Sequence, residues 1–336
     1  MSLTFCICED RVAEEAGVRL AIASLRRHSP TSDIVVYRPN ATAAFSRWVE
    51  AMGKVTLIGS QPAGASSWNC KPHALLPLLR EGRQNVVWVD SDIIAARSCD
   101  AVFHRMRDDE IGICEEYRAA SLQGSDLRVR GWGFTVGRSF PRTLNTAVLR
   151  VTPRHVPLLE RWQELLSDPS YAASQVIPLH KRPAHQWGDQ DVLNALLGSA
   201  EFADVPVHLL KTGKDIAHCS SATSYSLGER VGGLLGPIPV FLHAQGAKPW
   251  VVLDADRIRR APEYASKSMM LIQEMSPYFA VSTSYRDSIG MRSEWMDYKS
   301  TAGRLLKLVG FGHFAVAGLP LTVAATAAKA LKRLLA

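Results

Sequence analysis

The sequence predicts an α/β fold: a mixed, mostly parallel sheet flanked by helices, with a C-terminal helical tail. Two observations carry that expectation. Short apolar runs of strand length alternate with stretches whose apolar residues recur at helical spacing, from the N-terminus to about residue 250. One of those runs, VVWVDSDII at 86–94, has the continuous apolar character of a buried strand, which parallel sheets covered on both faces require.

The elements follow in order. Residues 3–8 (LTFCIC) predict a first strand. The N-terminus turns acidic within ten residues and reads directly as that strand, not as a secretory signal. Over 12–28, Val12, Ala16, Leu20 and Ala23 recur at helical spacing. Strand, helix and strand are expected at 34–37, 43–52 and 55–58. A helix is expected over 72–80, with Pro72 suited to its first turn. The strand 86–89 then ends at two aspartates. Further strands are expected at 111–114, 146–151, 207–210 and 240–243, and helices at 156–166 and 190–197. Residues 231–239 (VGGLLGPIP), with three glycines and two prolines, predict a loop.

Composition sets the outer limits. A chain of 336 residues, 47% apolar, can bury a large core in one or two domains. Six scattered cysteines with no C-x-x-C pair suit a reducing cytoplasm and argue against a zinc site. The net charge of +7 is uneven. After Asp297 no acidic residue remains, while Lys299, Arg304, Lys307, Lys329, Lys332 and Arg333 follow.

Asp90 and Asp92 raise the chemical question. Unpaired carboxylates are costly beside a buried strand. Either they cap the strand end into water or they hold a cation. Ligands of open α/β sheets bind beyond the carboxyl ends of the strands, and side chains two apart on extended backbone point the same way. Magnesium and manganese favour such oxygen ligands and bridge to diphosphates. A D-x-D triplet is common by chance, and this chain has three, at 90–92, 189–191 and 254–256. Only the first closes a strong apolar run within the α/β alternation. The triplet in VVLDAD at 251–256 is read as a decoy because of its late position.

A sharper signal is HAQGAKPW at 243–250. His243 supplies an imidazole as a third metal ligand. Gly246 permits close backbone approach to a ligand. Lys248 is a point charge for phosphate. Pro249 and Trp250 stiffen and pack the segment. Each residue alone has a bland alternative, a structural histidine or a solvated lysine; the combination in eight residues does not.

VDSD followed by HAQGAKPW resembles glycosyltransferase family 8, the group that includes glycogenin and bacterial lipooligosaccharide galactosyltransferases. Its H-x-x-G-x-x-K-P-W segment is one residue shorter here. NTAVLRV at 145–151 resembles the Asn-led strand beneath the sugar site, and WGDQDVLN at 187–194 resembles the acceptor-side loop. The resemblance covers roughly residues 1–250. It implies a GT-A, Rossmann-like catalytic domain over 1–250, followed by a helical extension over 251–336. It implies retaining transfer of a hexose from a nucleotide diphosphate donor, a UDP-sugar by family habit, with Mn2+ or Mg2+ as cofactor.

Carried over by motif, Asp90, Asp92 and His243 bind the metal, and Gly246 and Lys248 hold the diphosphate. Lys71, in WNCKPH, stands where the family has a basic residue near the donor; its bland alternative is a surface lysine at a helix start. Asn145, Asp189 and Gln190 line the sugar and acceptor side. Their bland alternatives are a turn residue before a strand for Asn145 and an N-cap for Asp189. The first strand runs into Cys8, Glu9, Asp10 and Arg11, where the family often has acidic and Asn residues gripping uracil and ribose. Glu9 and Asp10 are the candidates for that grip, Arg11 is unexpected, and the nucleobase stays open. So does the route, front-face or double displacement, with Asp189 or Gln190 beneath the sugar in the second.

Two alternatives stand beside this reading. A nucleotide-sugar-forming nucleotidyltransferase would show a Gly-rich basic loop after the first strand, which CEDRVAEEAGVRL lacks. A non-catalytic sugar-nucleotide-binding protein would not need the metal and phosphate residues intact. The expected partners are a nucleotide-sugar donor and a glycan or lipid-linked acceptor of the bacterial cell envelope, with no nucleic acid. Residues 308–328 are charge-poor but only weakly hydrophobic, and are flanked by cations. They read either as a core-packed helical pair joined at 318–320 or as a foot on anionic lipid. The latter places the protein in the cytoplasm, at the inner face of the membrane.

Overall fold

The computed structural model describes residues 3–66, 69–117, 125–221, 224–254, 267–308 and 313–334. The chain divides into two compact units, one of residues 1–12, 31–90 and 100–210, the other of 13–30, 91–99 and 211–336.

The first unit is built on a seven-stranded sheet. In chain order, β1 is Thr4–Cys8, β2 Asp33–Tyr37, β3 Val55–Ile58 and β4 Val86–Val89. Counting the second unit's strand β5 (Ile93–Ala95), β6 is Ile111–Glu115, β7 Leu144–Val151 and β8 Val207–Leu210. The order across the sheet is β3-β2-β1-β4-β7-β6-β8. β3, β2, β1 and β4 run parallel, β7 is antiparallel to both its neighbours, and β6 and β8 are parallel. The expected mixed, mostly parallel sheet is thus observed. Counting the second unit's helix α1 (Glu15–His28), this unit holds α2 (Ala43–Met52), α3 (Cys70–Arg80) and the single turn α4 (Asp100–Phe103). It also holds α5 (Ser125–Gly131), α6 (Val156–Leu166), α7 (Pro169–Gln175) and α8 (Asp189–Gly198). Leu75 and Leu79 of α3, Leu159 and Trp162 of α6 and Leu193 and Leu196 of α8 pack in one core with Trp88, Ile113 and Leu149 of the sheet. The sheet order reverses between β1 and β4, and open sheets of this kind bind ligands beyond the carboxyl ends of the strands at such a point.

The second unit has a three-stranded sheet in the order β5-β10-β9, with β9 at Ile216–His218 and β10 at Phe241–His243. β10 is antiparallel to β5 and parallel to β9. α1 packs on β5, where the Ala95 N–H donates to Ser24 Oγ at 3.0 Å. Among its described residues the unit also holds α9 (Leu227–Leu235), α10 (Pro249–Val252), α11 (Lys267–Glu274), α12 (Pro277–Ser282), α13 (Thr301–Leu308) and α14 (Leu319–Leu334).

Several sequence expectations are corrected. Residues 231–235 are helical, not loop: Ser226 and Glu229 form a capping box that starts α9 in spite of its glycines. Asn145 lies inside β7 and not in a turn before it. Asp189 is the first residue of α8, whose N-cap is Gly188. Val251 and Val252 of VVLDAD end α10, and Asp256 of that triplet lies outside the described residues. Residues 309–312 of the tail and Trp68 of WNCKPH also lie outside them. Among the described residues, no helix is long and apolar enough to cross a membrane.

Candidate functional site

In the first unit the carboxyl end of β4 is the organising point. β7 runs antiparallel beside it, so the start of β7 lies next to Asp90, whose N–H donates to Ala147 O at 2.8 Å. That places Thr146 and Asn145 at the strand end. Lys71, the second residue of α3, reaches the same place from the helix. Its Nζ donates to Thr146 Oγ1 at 2.6 Å and stands 2.9 Å from Asp189 Oδ2 and 3.5 Å from Asp90 Oδ1. Trp88 Nε1 donates to the same Asp90 oxygen at 2.6 Å. Asp189 opens α8, where a helix N-terminus favours negative charge.

Lys71 is not a surface lysine; it is 8% exposed. Burial opposes its charge, but Asp189 and Asp90 outweigh burial and hold the ammonium above its ordinary pKa. Burial pushes the Asp189 carboxyl up against the pull of Lys71. Asn145 Nδ2 donates to Glu116 Oε2 at 2.9 Å, and its Oδ1 accepts the Ala147 N–H at 2.8 Å. Gln190 is half-buried on α8, its carbonyl accepting from Asn194 Nδ2 at 2.7 Å. Glu9 is engaged by Arg11, whose Nε and Nη2 donate to its two oxygens at 2.8 and 2.7 Å. Asp10 Oδ2 accepts from Gln61 Nε2 at 2.9 Å. Lys71, Asp90 and Asp189 therefore come together, Asn145 is fixed to Glu116, and Glu9 and Asp10 are each engaged separately.

In the second unit Asp92 immediately precedes β5. The antiparallel register pairs Ile93 with His243, and the Ala244 N–H donates to Asp92 O at 3.0 Å. This brings His243 Nε2 to 3.4 Å from Asp92 Oδ1. The chain then turns at Gly246, whose φ of +83° is a left-handed conformation that glycine adopts without strain, and which leaves open space where a Cβ would stand. The turn folds Lys248 back: its Nζ donates to Ala244 O at 2.8 Å and to Asp92 Oδ2. Pro249 starts α10, and Trp250 Nε1 donates to Glu14 Oε2 at 3.0 Å. Gly17 of α1 is required here as well. A Cβ on it would stand 2.7 Å from Ser91 O and from the Trp250 ring, so the helix approaches the DSD backbone only because it carries glycine at that point.

Burial alone would raise the Asp92 carboxyl. His243 and Lys248 overcome that and hold it far below the ordinary carboxylate range. An ionised carboxylate and an imidazole nitrogen aimed at it form a donor pair suited to a divalent first-row cation. The Lys248 ammonium neutralises the carboxylate that such a cation would neutralise. Asp92 and His243 thus offer donor types that suit a divalent cation. Behind His243 stands His218 of β9, with the two Nδ1 atoms 3.1 Å apart and both rings buried.

Sequence reasoning missed His218, Thr146 and Glu116. Thr146 was inside a motif already singled out. His218 lies on a three-residue strand with no apolar run to announce it, and nothing in the sequence marks Glu116.

No protein-family model matches the chain, and the search of curated proteins found no match. Solved structures do. The bifunctional glycosyltransferase WbbM in its apo form is similar with a TM-score of 0.51 and 13% identity, over 80% of this chain and 50% of that one. The glycosyltransferase GlyE of Streptococcus pneumoniae TIGR4 gives 0.46 and 16%, over 90% of this chain and 66% of that one. The galactosyltransferase LgtC, in complex with donor and acceptor sugar analogs, gives 0.47 and 16%, over 79% and 95%. The chain spans half the length of WbbM and about two thirds of GlyE. The likeness to WbbM shows the fold: a GT-A-like glycosyltransferase fold, as the sequence motifs imply.

Proposed function

We propose that the protein is a metal-dependent, retaining glycosyltransferase of the family 8 kind. It moves a hexose from a nucleotide diphosphate donor, a UDP-sugar on the resemblance, to a glycan or lipid-linked acceptor of the bacterial envelope. The observation that carries this reading is the Asp92, His243 and Lys248 arrangement around the Gly246 turn. It joins a cation-ligating pair to a phosphate-pairing lysine on one short segment.

In this reading Asp90, Asp92 and His243 hold Mn2+ or Mg2+; two carboxylates and an imidazole are the donor types that such an ion accepts. The bound ion would neutralise charge on the leaving diphosphate. Lys248 exchanges its contact with Asp92 for the diphosphate, and the open space over Gly246 lets a phosphate approach the backbone. Lys71 holds Asp189 and Asp90 in place. Glu9 and Asp10 at the end of β1 meet the nucleoside, and Asn145 and Gln190 line the sugar and acceptor side. The ion pair of Asp189 with Lys71 favours the front-face route. The acceptor oxygen bonds to the anomeric carbon on the face the diphosphate leaves, and its proton passes to the leaving phosphate oxygen. CEDRVAEEAGVRL at 8–20, which follows from β1, carries no Gly-rich basic loop, and this argues against a nucleotidyltransferase. The catalytic domain is assigned to 1–250 and the helical extension to 251–336, the latter placing the protein at the inner face of an anionic membrane.

Calorimetry on Lys248→Ala tests the reading. Nucleoside diphosphate binding should weaken by about 1.5–3 kcal/mol, the range of a charge-assisted hydrogen bond. Nucleoside binding should not change. Equal weakening of both would reduce Lys248 to a structural residue.

A further inference from the structure

A cavity of about 390 Å3 lies within the first unit, between the start of α3, the end of α6 and α7. That size is in the range of small-ligand sites. The cavity is apart from the Lys71 cluster. His73 lines it, and His73 and Lys71, two residues apart on α3, point about 200° apart around the helix axis. Leu166 and Ala172 supply apolar lining. Arg182 lines it too and ties down the segment 175–187 beside it. Its guanidinium donates to Gln175 Oε1 at 2.6 Å, Ile177 O at 2.9 Å and Trp187 O at 3.0 Å.

The lining holds neutral polar groups that the fold does not use. His73 is 7% exposed, and its Nδ1 lies 2.8 Å from both Ala63 O and Gln163 Nε2. Among the described residues its Nε2 meets no hydrogen-bond partner. Asn69 is the N-cap of α3, yet its side chain makes no capping bond, the bond an Asn ordinarily makes there. Ser66 adds a hydroxyl, and its carbonyl accepts the Asn69 N–H at 3.1 Å, which holds the two residues together. Gly64 lets the loop lie against the imidazole: its φ is +79°, and a Cβ on it would stand 2.9 Å from His73 Cε1. Among the described lining residues there is no carboxylate and no ring other than His73.

We infer that this cavity is a second carbohydrate site, which holds a sugar unit of the acceptor glycan away from the hydroxyl that reacts. A sugar hydroxyl both donates and accepts, so it meets His73 Nε2 in either tautomer. The Asn69 amide and the Ser66 hydroxyl each offer a donor and an acceptor in the same way. An anion that only accepts would leave the Asn69 carbonyl oxygen unmatched, and a nucleobase would find no broad ring to stack on. The segment that Arg182 ties down reaches Trp187, two residues before Asp189 of the Lys71 cluster, so one stretch of chain borders both places. The inference deepens the glycan acceptor proposed above and rests on that reading for the glycan's role. Affinity of the cavity for sugar needs neither donor, cation nor transfer.

The test is a ligand-observed NMR titration of the full chain with maltose, cellobiose and lactose, without donor or cation. At least one disaccharide should bind the wild type. Ala172 is exposed on α7, so Ala172→Trp should fill the cavity and abolish that binding at an unchanged thermal midpoint. Asn69→Ala, which removes no capping bond, should weaken binding by about 3- to 10-fold, the scale of one neutral hydrogen bond. If Ala172→Trp melts early, Asn69→Ala alone carries the test. The inference is overturned if none of the three disaccharides binds, if a folded variant binds as the wild type does, or if inorganic phosphate displaces the sugar. Sugar binding that follows the variants, in a chain that releases no nucleoside diphosphate from any donor, sustains the cavity and removes the transferase reading. Donor cleavage together with sugar binding that ignores the variants does the reverse.

Discussion

His218 and His243 face each other through their Nδ1 atoms at 3.1 Å, so one ring must donate and the other accept. For His243 Nε2 to carry a lone pair toward the Asp92 side, its Nδ1 must hold the proton and donate to His218. In the proposed metal site, where His243 Nε2 ligates the cation, His218 is thereby a positioning residue, fixing tautomer and ring orientation as outer partners of metal-ligating histidines do. His218→Ala should lower Mn2+ affinity by about 10–100-fold, the usual cost of losing such a partner. His218→Gln, which keeps a polar group in the place of the ring, should recover part of it. The free-Mn2+ electron paramagnetic resonance signal in a titration reads this directly. Unchanged affinity in both variants would reduce the histidine pair to packing.

Lys71 is predicted to be worth more to the fold than a helix-start lysine usually is. It neutralises two carboxylates, Asp189 at 2.9 Å and Asp90 at 3.5 Å, in a buried place. Lys71→Met should cost about 3–5 kcal/mol, because removing one partner strands a buried charge. Adding Asp189→Asn should return at least about 1 kcal/mol of it, measured by urea unfolding as a double-mutant cycle. Strict additivity would mean that the two residues do not interact.

Stability should also fall in mild acid through His155. Burial holds this imidazole down to about 4 from its ordinary 6.5. A group with a depressed basic pKa takes up its proton more readily in the unfolded chain. Its contribution is therefore full above about pH 6.5 and is lost as pH falls toward 4. Between pH 7 and 5 the loss should be about 2 kcal/mol. Urea unfolding at the two pH values should show it, and His155→Gln should remove that increment. An equal acid loss in the variant would assign the effect elsewhere.

Much of the first unit was legible in the sequence because its elements obey a single period each. VVWV at 86–89 and VTLI at 55–58 fall where expected, and so do the helices at 43–52 and 156–166. What the sequence hid was short or counter-patterned. β5 and β9 are three residues each, too short for a period to show. α9 carries glycines and exposes its leucines, so composition pointed to a loop although S-x-x-E at 226–229 was a start signal in plain view. Of the candidate site residues, those read from motifs at strand ends, such as Asp92 with His243, were found together. The residues that hold them, His218 and Thr146, came from elements or positions without a pattern of their own. Supporting partners are set by tertiary packing, and no local period encodes that.

The proposed function requires that this chain cleave a nucleotide diphosphate sugar in a cation-dependent way. The most direct measurement is release of nucleoside diphosphate from a panel of nucleotide sugars by the purified full chain, in Mn2+ and in chelator. Nucleoside diphosphate should be released from at least one donor in Mn2+, release should stop in chelator, and it should return on adding Mn2+. Release should fall by about 100-fold or more in Asp92→Asn and His243→Ala at unchanged folding, the scale on which one preorganised charge-stabilising group acts. Full release in chelator, or full activity in either variant, would contradict it.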